Sequence, residues 1–136
     1  MTQLTQIFFS ILSIVCISAI FILAGSPIVR TLAPFNPYSL LHIPLYGILT
    51  FLLIFSIVPT TLRTKDSMTQ RRNHPINRFL IVGVIALGVG IADEIHQAYV
   101  PGRDASITDV LLDFVGIALV LFFAFRLLKT KTLSMG

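Results

Sequence analysis

The chain has 136 residues, of which 55% are hydrophobic and 12% charged. A soluble domain is about a quarter charged, and a chain of this size cannot hide so much apolar surface within itself, so the composition excludes an ordinary soluble domain and points to membrane spans. The net charge of +4 has no separate soluble domain to carry it; nucleic acid is therefore set aside as a partner, and the basic residues are read as topology signals beside a lipid bilayer.

No charged side chain precedes Arg30. The apolar run at about 7–25 predicts a first transmembrane helix, since about 20 residues at 1.5 Å each cross a hydrocarbon core of about 30 Å. No Lys or Arg stands before that run, so it is expected to be a retained span and not a cleaved secretory signal, although LAGSP at Leu23–Pro27 imitates a cleavage site. Cys16 is the only cysteine. It excludes an intrachain disulfide and a multi-cysteine metal site, and it reads as a buried thiol.

Three prolines make 25–37 a loop. A second span is predicted at about 38–58, with Pro44 expected to kink it near its start. The interval 59–76 carries Arg63, Lys65, Arg71 and Arg72 against Asp66, with His74 expected to be solvated. It reads as a flexible basic loop.

The third and fourth spans are predicted at about 77–98 and 108–128. Their uncharged cores are short: Phe79–Ala92 has 14 residues and Phe114–Phe125 has 12, or about 21 and 18 Å of helix. To cross a bilayer, the third helix must take in Asp93, Glu94 and Gln97, and the fourth must take in Asp109 and Asp113. Five of the six acidic residues thus fall between Asp93 and Gly116. Charged groups in spans face a protein interior or a wet cavity. Ala86 and Gly90 form a small-xxx-small pair, and Gly83, Gly88 and Gly116 are further thin places where helices can approach. The expected architecture is an all-α, four-helix integral membrane bundle forming a single domain.

The positive-inside rule places the basic loop, together with Arg126, Lys129 and Lys131, in the cytoplasm. Both termini are then cytoplasmic and 93–116 faces outward. This brings Arg30, His42, Tyr46, Asp93, Glu94, His96, Gln97, Arg103, Asp104, Asp109 and Asp113 to one depth. His42 and Tyr46 share a helix face, as do Asp93 with Gln97 and Asp109 with Asp113. VPGRD reads as a turn presenting Arg103, with Gly102 free to take a positive φ. Ser106–Asp109 (SITD) resembles a capping box, which makes Asp109 either a cap or a site residue.

The chemistry of this layer has two readings. Arg103 either clamps a phosphate or carboxylate of a ligand or pairs with the acids to fix helix register. A protonated carboxylic acid beside an ionised one is also what acid–base catalysis requires, with Asp93, Glu94 and His42 as candidates. His42 otherwise reads as a hydrogen-bonded core histidine and His96 as an exposed one. No ligand-pair spacing points to a metal, no cofactor motif occurs, and no nucleophile triad or phosphate loop is present.

DEIHQAYVPGRDASITDVLLDFVGIALV, from Asp93 to Val120, resembles the signature of the VanZ-like family. That pattern has an acidic pair closing the third helix, a Gln three residues after the Glu, a PGR turn and an Asp opening the fourth helix. HIPLYG at His42–Gly47 is similar to the family's H-x-x-x-Y element. Two positions depart from the pattern: YSLLH lacks the Lys often found before the His, and Asp113 stands where Asn is frequent. The resemblance implies a small multi-pass protein of the bacterial inner (cytoplasmic) membrane, in a family named for a link to teicoplanin resistance.

Three functions are consistent with these residues. The first is an outward pocket for an anionic envelope lipid, wall precursor or lipoglycopeptide, using Arg103, Gln97, Asp109, Asp113 and Tyr46. The second is an intramembrane enzyme acting on a lipid-linked substrate. The third is a structural or assembly partner that packs through its small residues.

Overall fold

The computed structural model describes residues 3–26, 36–58 and 75–134. Among them are four helices, each long and apolar enough to cross a membrane. Helix α1 is Gln3–Ala24, α2 is His42–Ile57, α3 is Pro75–Ala98 and α4 is Ile107–Ser134; a 3₁₀ turn, Asn36–Leu41, leads into α2. The basic interval 59–74, His74 within it, and Arg30 lie outside the described residues.

Local chemistry accounts for the helix ends. Pro75 occupies the first position of α3, where its missing N–H breaks no helical bond. The last turn of α3 tightens, with Tyr99 N–H donating to His96 and Val100 N–H to Gln97, both at 3.0 Å. Pro101 and Gly102 then turn the chain, and Gly102 takes φ +81°. Pro44, expected to kink α2, lies instead in its first turn, where the N–H has no intrahelical acceptor to lose. Arg78 reaches the other end of α2 and donates to the Ile57 carbonyl at 2.8 Å, satisfying one of its orphan acceptors. Helix α4 continues to Ser134, so Arg126, Lys129 and Lys131 lie on a helix and not in a tail.

The helices run up and down. Ser10 of α1 meets Ser56 of α2 at 2.6 Å near one end. Phe21 of α1 meets His96 of α3 at the other, where His42 of α2 meets Asp113 of α4. The apolar core between them holds Leu49, Leu53, Val82, Ala86 and Ile117. Outward positions such as Phe8, Ile22, Leu80, Val84 and Phe123 are exposed and apolar, as a lipid-facing surface requires. Thr50 satisfies its hydroxyl on the Tyr46 carbonyl at 2.6 Å, which lets a polar residue sit fully buried.

Lipid gives little hydrophobic drive for helix association, so close packing decides how the bundle holds. The tightest seam joins α2 and α4. A Cβ placed on Gly116 would lie 2.2 Å from the Ile43 carbonyl oxygen, and one on Gly47 would touch Val120. Ala86 is fully buried, and Gly90 faces Asp113 and Tyr46, so these small residues serve packing inside the single chain. Gly88, in contrast, faces open space.

Gly116→Ala is expected to lower the unfolding free energy by about 3 kcal/mol through overpacking against backbone. Gly88→Ala is expected to be neutral or stabilising, by about 0.5–1 kcal/mol from helix propensity. Thermal unfolding in detergent micelles, followed by circular dichroism, checks the pair.

Candidate functional site

The end of the bundle made by the close of α3 and the start of α2 and α4 is polar inside. His42, Asp93, Glu94, Gln97 and Asp113 are all buried there. Tyr46, one turn below His42, is fully buried and stacks nearly parallel to its ring, with centroids 6.2 Å apart.

Two hydrogen-bonded groups organise this layer. In the first, Gln97 is the hub. Its amide nitrogen donates to Asp93 Oδ2 at 2.9 Å and to Glu94 Oε1 at 3.2 Å, while its carbonyl accepts from Arg103 Nη2. The donors and acceptors around the amide fix which way it points. Arg103 therefore rests on a neutral carbonyl; among the described residues it forms no ion pair with a carboxylate. Its Nη1 is buried and has no hydrogen-bond partner.

In the second group, His42 Nδ1 lies 2.8 Å from Asp113 Oδ1, and its Nε2 lies 3.9 Å from Asp109 Oδ2. A carboxylate at Nδ1 favours a proton on that nitrogen and orients the ring so that Nε2 faces Asp109. Gly90 makes room for this arrangement: a Cβ there would stand 2.7 Å from Asp113 Oδ2 and 3.3 Å from Tyr46 Cε1.

The start of α4 joins the two groups. Ser106 caps the helix, its Oγ accepting from the Asp109 N–H at 3.3 Å. In a complete capping box the Asp109 carboxylate would reach back to the Ser106 N–H. Glu94 of α3 takes that place instead, its Oε2 accepting from Ser106 at 2.7 Å. Asp109 is thereby left free of capping and turns toward His42. No signal in the local sequence marks this substitution, because the replacing carboxylate comes from another helix.

One sequence expectation needs correction. His96, expected to be exposed, is half-buried, packs edge-on against Phe21 at 5.5 Å, and has a buried Nδ1 with no hydrogen-bond partner. Asp104 is exposed and stands outside both hydrogen-bonded groups. Arg30, expected at this depth, lies outside the described residues.

Four apolar helices closing on a buried polar layer define a multi-pass integral membrane protein. A family model described as VanZ/LLP1 matches residues 9–129, most of the chain, and the chain belongs to that family. Comparison with curated proteins and with solved structures finds no match.

Gly90→Ala should test how this layer is spaced. The added methyl meets the end of a side chain, so the unfolding free energy should change by less than about 1 kcal/mol, a Gly-to-Ala gain offsetting the crowding. Displacement of Asp113 should nevertheless move the Nδ1 resonance of His42 in ¹⁵N-histidine NMR spectra. An unmoved resonance would show that Gly90 does not set the His42–Asp113 contact.

Proposed function

We propose that this VanZ-family protein binds an anionic group of an envelope lipid or lipid-linked wall precursor at the outer face of a bacterial inner membrane. Both termini are cytoplasmic in this reading, and the polar layer opens outward. The observation that carries it is Arg103, tethered through Gln97 with Nη1 buried and unpartnered. A guanidinium with a spare N–H is suited to phosphate or carboxylate oxygens.

An apolar groove supports the same reading. It is lined by Ile43, Gly47, Phe51, Gly116 and Val120, among others. Ile43 adjoins His42, and Gly116 lies one turn below Asp113, so the groove begins beside the polar layer. From Ile43 to Phe51 it extends about 12 Å along the helix axis, a path for an acyl chain whose headgroup rests above. A lipoglycopeptide antibiotic combines an acyl chain with anionic groups, and teicoplanin tolerance belongs here as a consequence of such binding.

A second reading, an intramembrane enzyme acting on a lipid-linked substrate, draws on the His42–Asp113 pair, which has the form of an oriented base. It requires turnover that Glu94→Gln abolishes while binding persists.

Native mass spectrometry of protein released from membranes tests the first reading, with Arg103→Ala compared at matched folding. A defined anionic lipid retained by the wild type and lost by the variant is expected. The same lipids on both, or none on either, would remove the support for an Arg103 site. Orientation is tested in a Cys16→Ala background: an impermeant maleimide added to intact cells should label Ala105→Cys and spare Ser67→Cys.

A further inference from the structure

Asp93, Glu94, Asp109 and Asp113 gather at the polar end, with Arg103 engaged by the Gln97 carbonyl. Among the described residues no Lys or Arg pairs with any of these four carboxylates, and the base that does is His42, beside Asp113 and Asp109. A cation held here would offset the carboxylates that the histidine does not.

The surroundings of His42 give the cation a place. His42 is 6% exposed, and with Nδ1 taken by Asp113 its Nε2 is the ring nitrogen left to meet a ligand. Nε2 faces Asp109 Oδ2 at 3.9 Å, and Asp109 Oδ1 is buried and unpartnered. One donor atom from each of His42, Glu94 and Asp109 lies within 4.8 Å of the other two. We infer that His42 Nε2, Glu94 and Asp109 bind a divalent transition-metal ion, with Asp113 orienting the imidazole.

The parts match what such sites need. A ligating histidine typically gives its other N–H to a carboxylate, and ligating carboxylates are themselves hydrogen-bonded. Asp113 does the first, and the Gln97 and Ser106 donors do the second for Glu94. Ligands of a tetrahedral ion with bonds of about 2.1 Å stand about 3.4 Å apart. The three donors, within 4.8 Å of one another, therefore draw in by up to about 1.4 Å around a bound ion. A mixed imidazole and carboxylate set suits zinc or manganese over soft monovalent copper. Three protein ligands leave a coordination position open, as in sites that receive an outside oxygen. Asp109, with its side chain 13% exposed, offers the ion a way in.

The three ligands come from three different helices, which is why no ligand-pair spacing marks them in the sequence. The inference rests on the donor set alone and does not depend on the lipid reading above. If Nε2 holds a metal it is not free to act as a base, which would set the oriented-base reading aside.

The test uses tag-free full chain in detergent, treated with chelator and titrated calorimetrically with Zn²⁺ and, separately, Mn²⁺, with no lipid added. One saturable equivalent of at least one ion is expected. Glu94→Gln and Asp109→Asn should weaken it at least 100-fold, and Asp113→Asn about 10- to 100-fold. Asp104→Asn, an exposed carboxylate outside the set, should leave affinity unchanged. Circular dichroism and size exclusion establish folding; Asp109→Asn keeps the Ser106 cap and serves if Glu94→Gln does not fold. No saturable binding of either ion to the wild type, or wild-type affinity in Asp109→Asn, overturns the inference.

Discussion

The polar end of this molecule depends on one side-chain amide. Gln97 gives its two N–H groups to two carboxylates and its carbonyl to a guanidinium. A charged residue in its place could not do both. An acid would add repulsion beside Asp93 and Glu94, and a base would oppose Arg103. The amide holds unlike charges near one another without letting them neutralise. Arg103 thus keeps hydrogen-bonding capacity that a direct salt bridge would consume.

The same economy of contacts links the helices. Glu94 closes α3 and also caps α4, so the third and fourth helices share one carboxylate at their junction. That sharing frees Asp109 for His42, and His42 in turn is aligned by Asp113. Asp93 is held by Gln97 of its own helix, and Glu94, Gln97, His42 and Asp113 each meet a neighbour on another element. The layer is therefore a property of the assembled bundle and not of any single helix.

Much of this was legible in the sequence. Uncharged cores of 14 and 12 residues are too short to span, which forced Asp93, Glu94, Asp109 and Asp113 onto helices. The i, i+4 spacings put Asp93 with Gln97, and Gly102 marked a turn by its freedom at positive φ. What escaped depended on contacts between elements. Gly88 and Gly116 are indistinguishable as letters, yet one faces open space and the other a carbonyl oxygen. His96 reads as exposed in the sequence because Phe21, its ring partner, lies 75 residues earlier in the chain. Pro44 reads as a kink only in a span that begins at residue 38, four positions before the α-helix begins.

The contact of Gly116 with the Ile43 carbonyl has a consequence for how the site is inherited. Ile43 follows His42 directly, and Gly116 lies three residues after Asp113. The backbone seam is thus a ruler that sets the histidine–aspartate distance, and no connecting segment enters that measurement. A chain divided between its second and third helices would carry the histidine on one fragment and the acidic cluster on the other. Their reunion would rely on a groove and a ridge recognising each other within the lipid, and the chemistry would return with the fit.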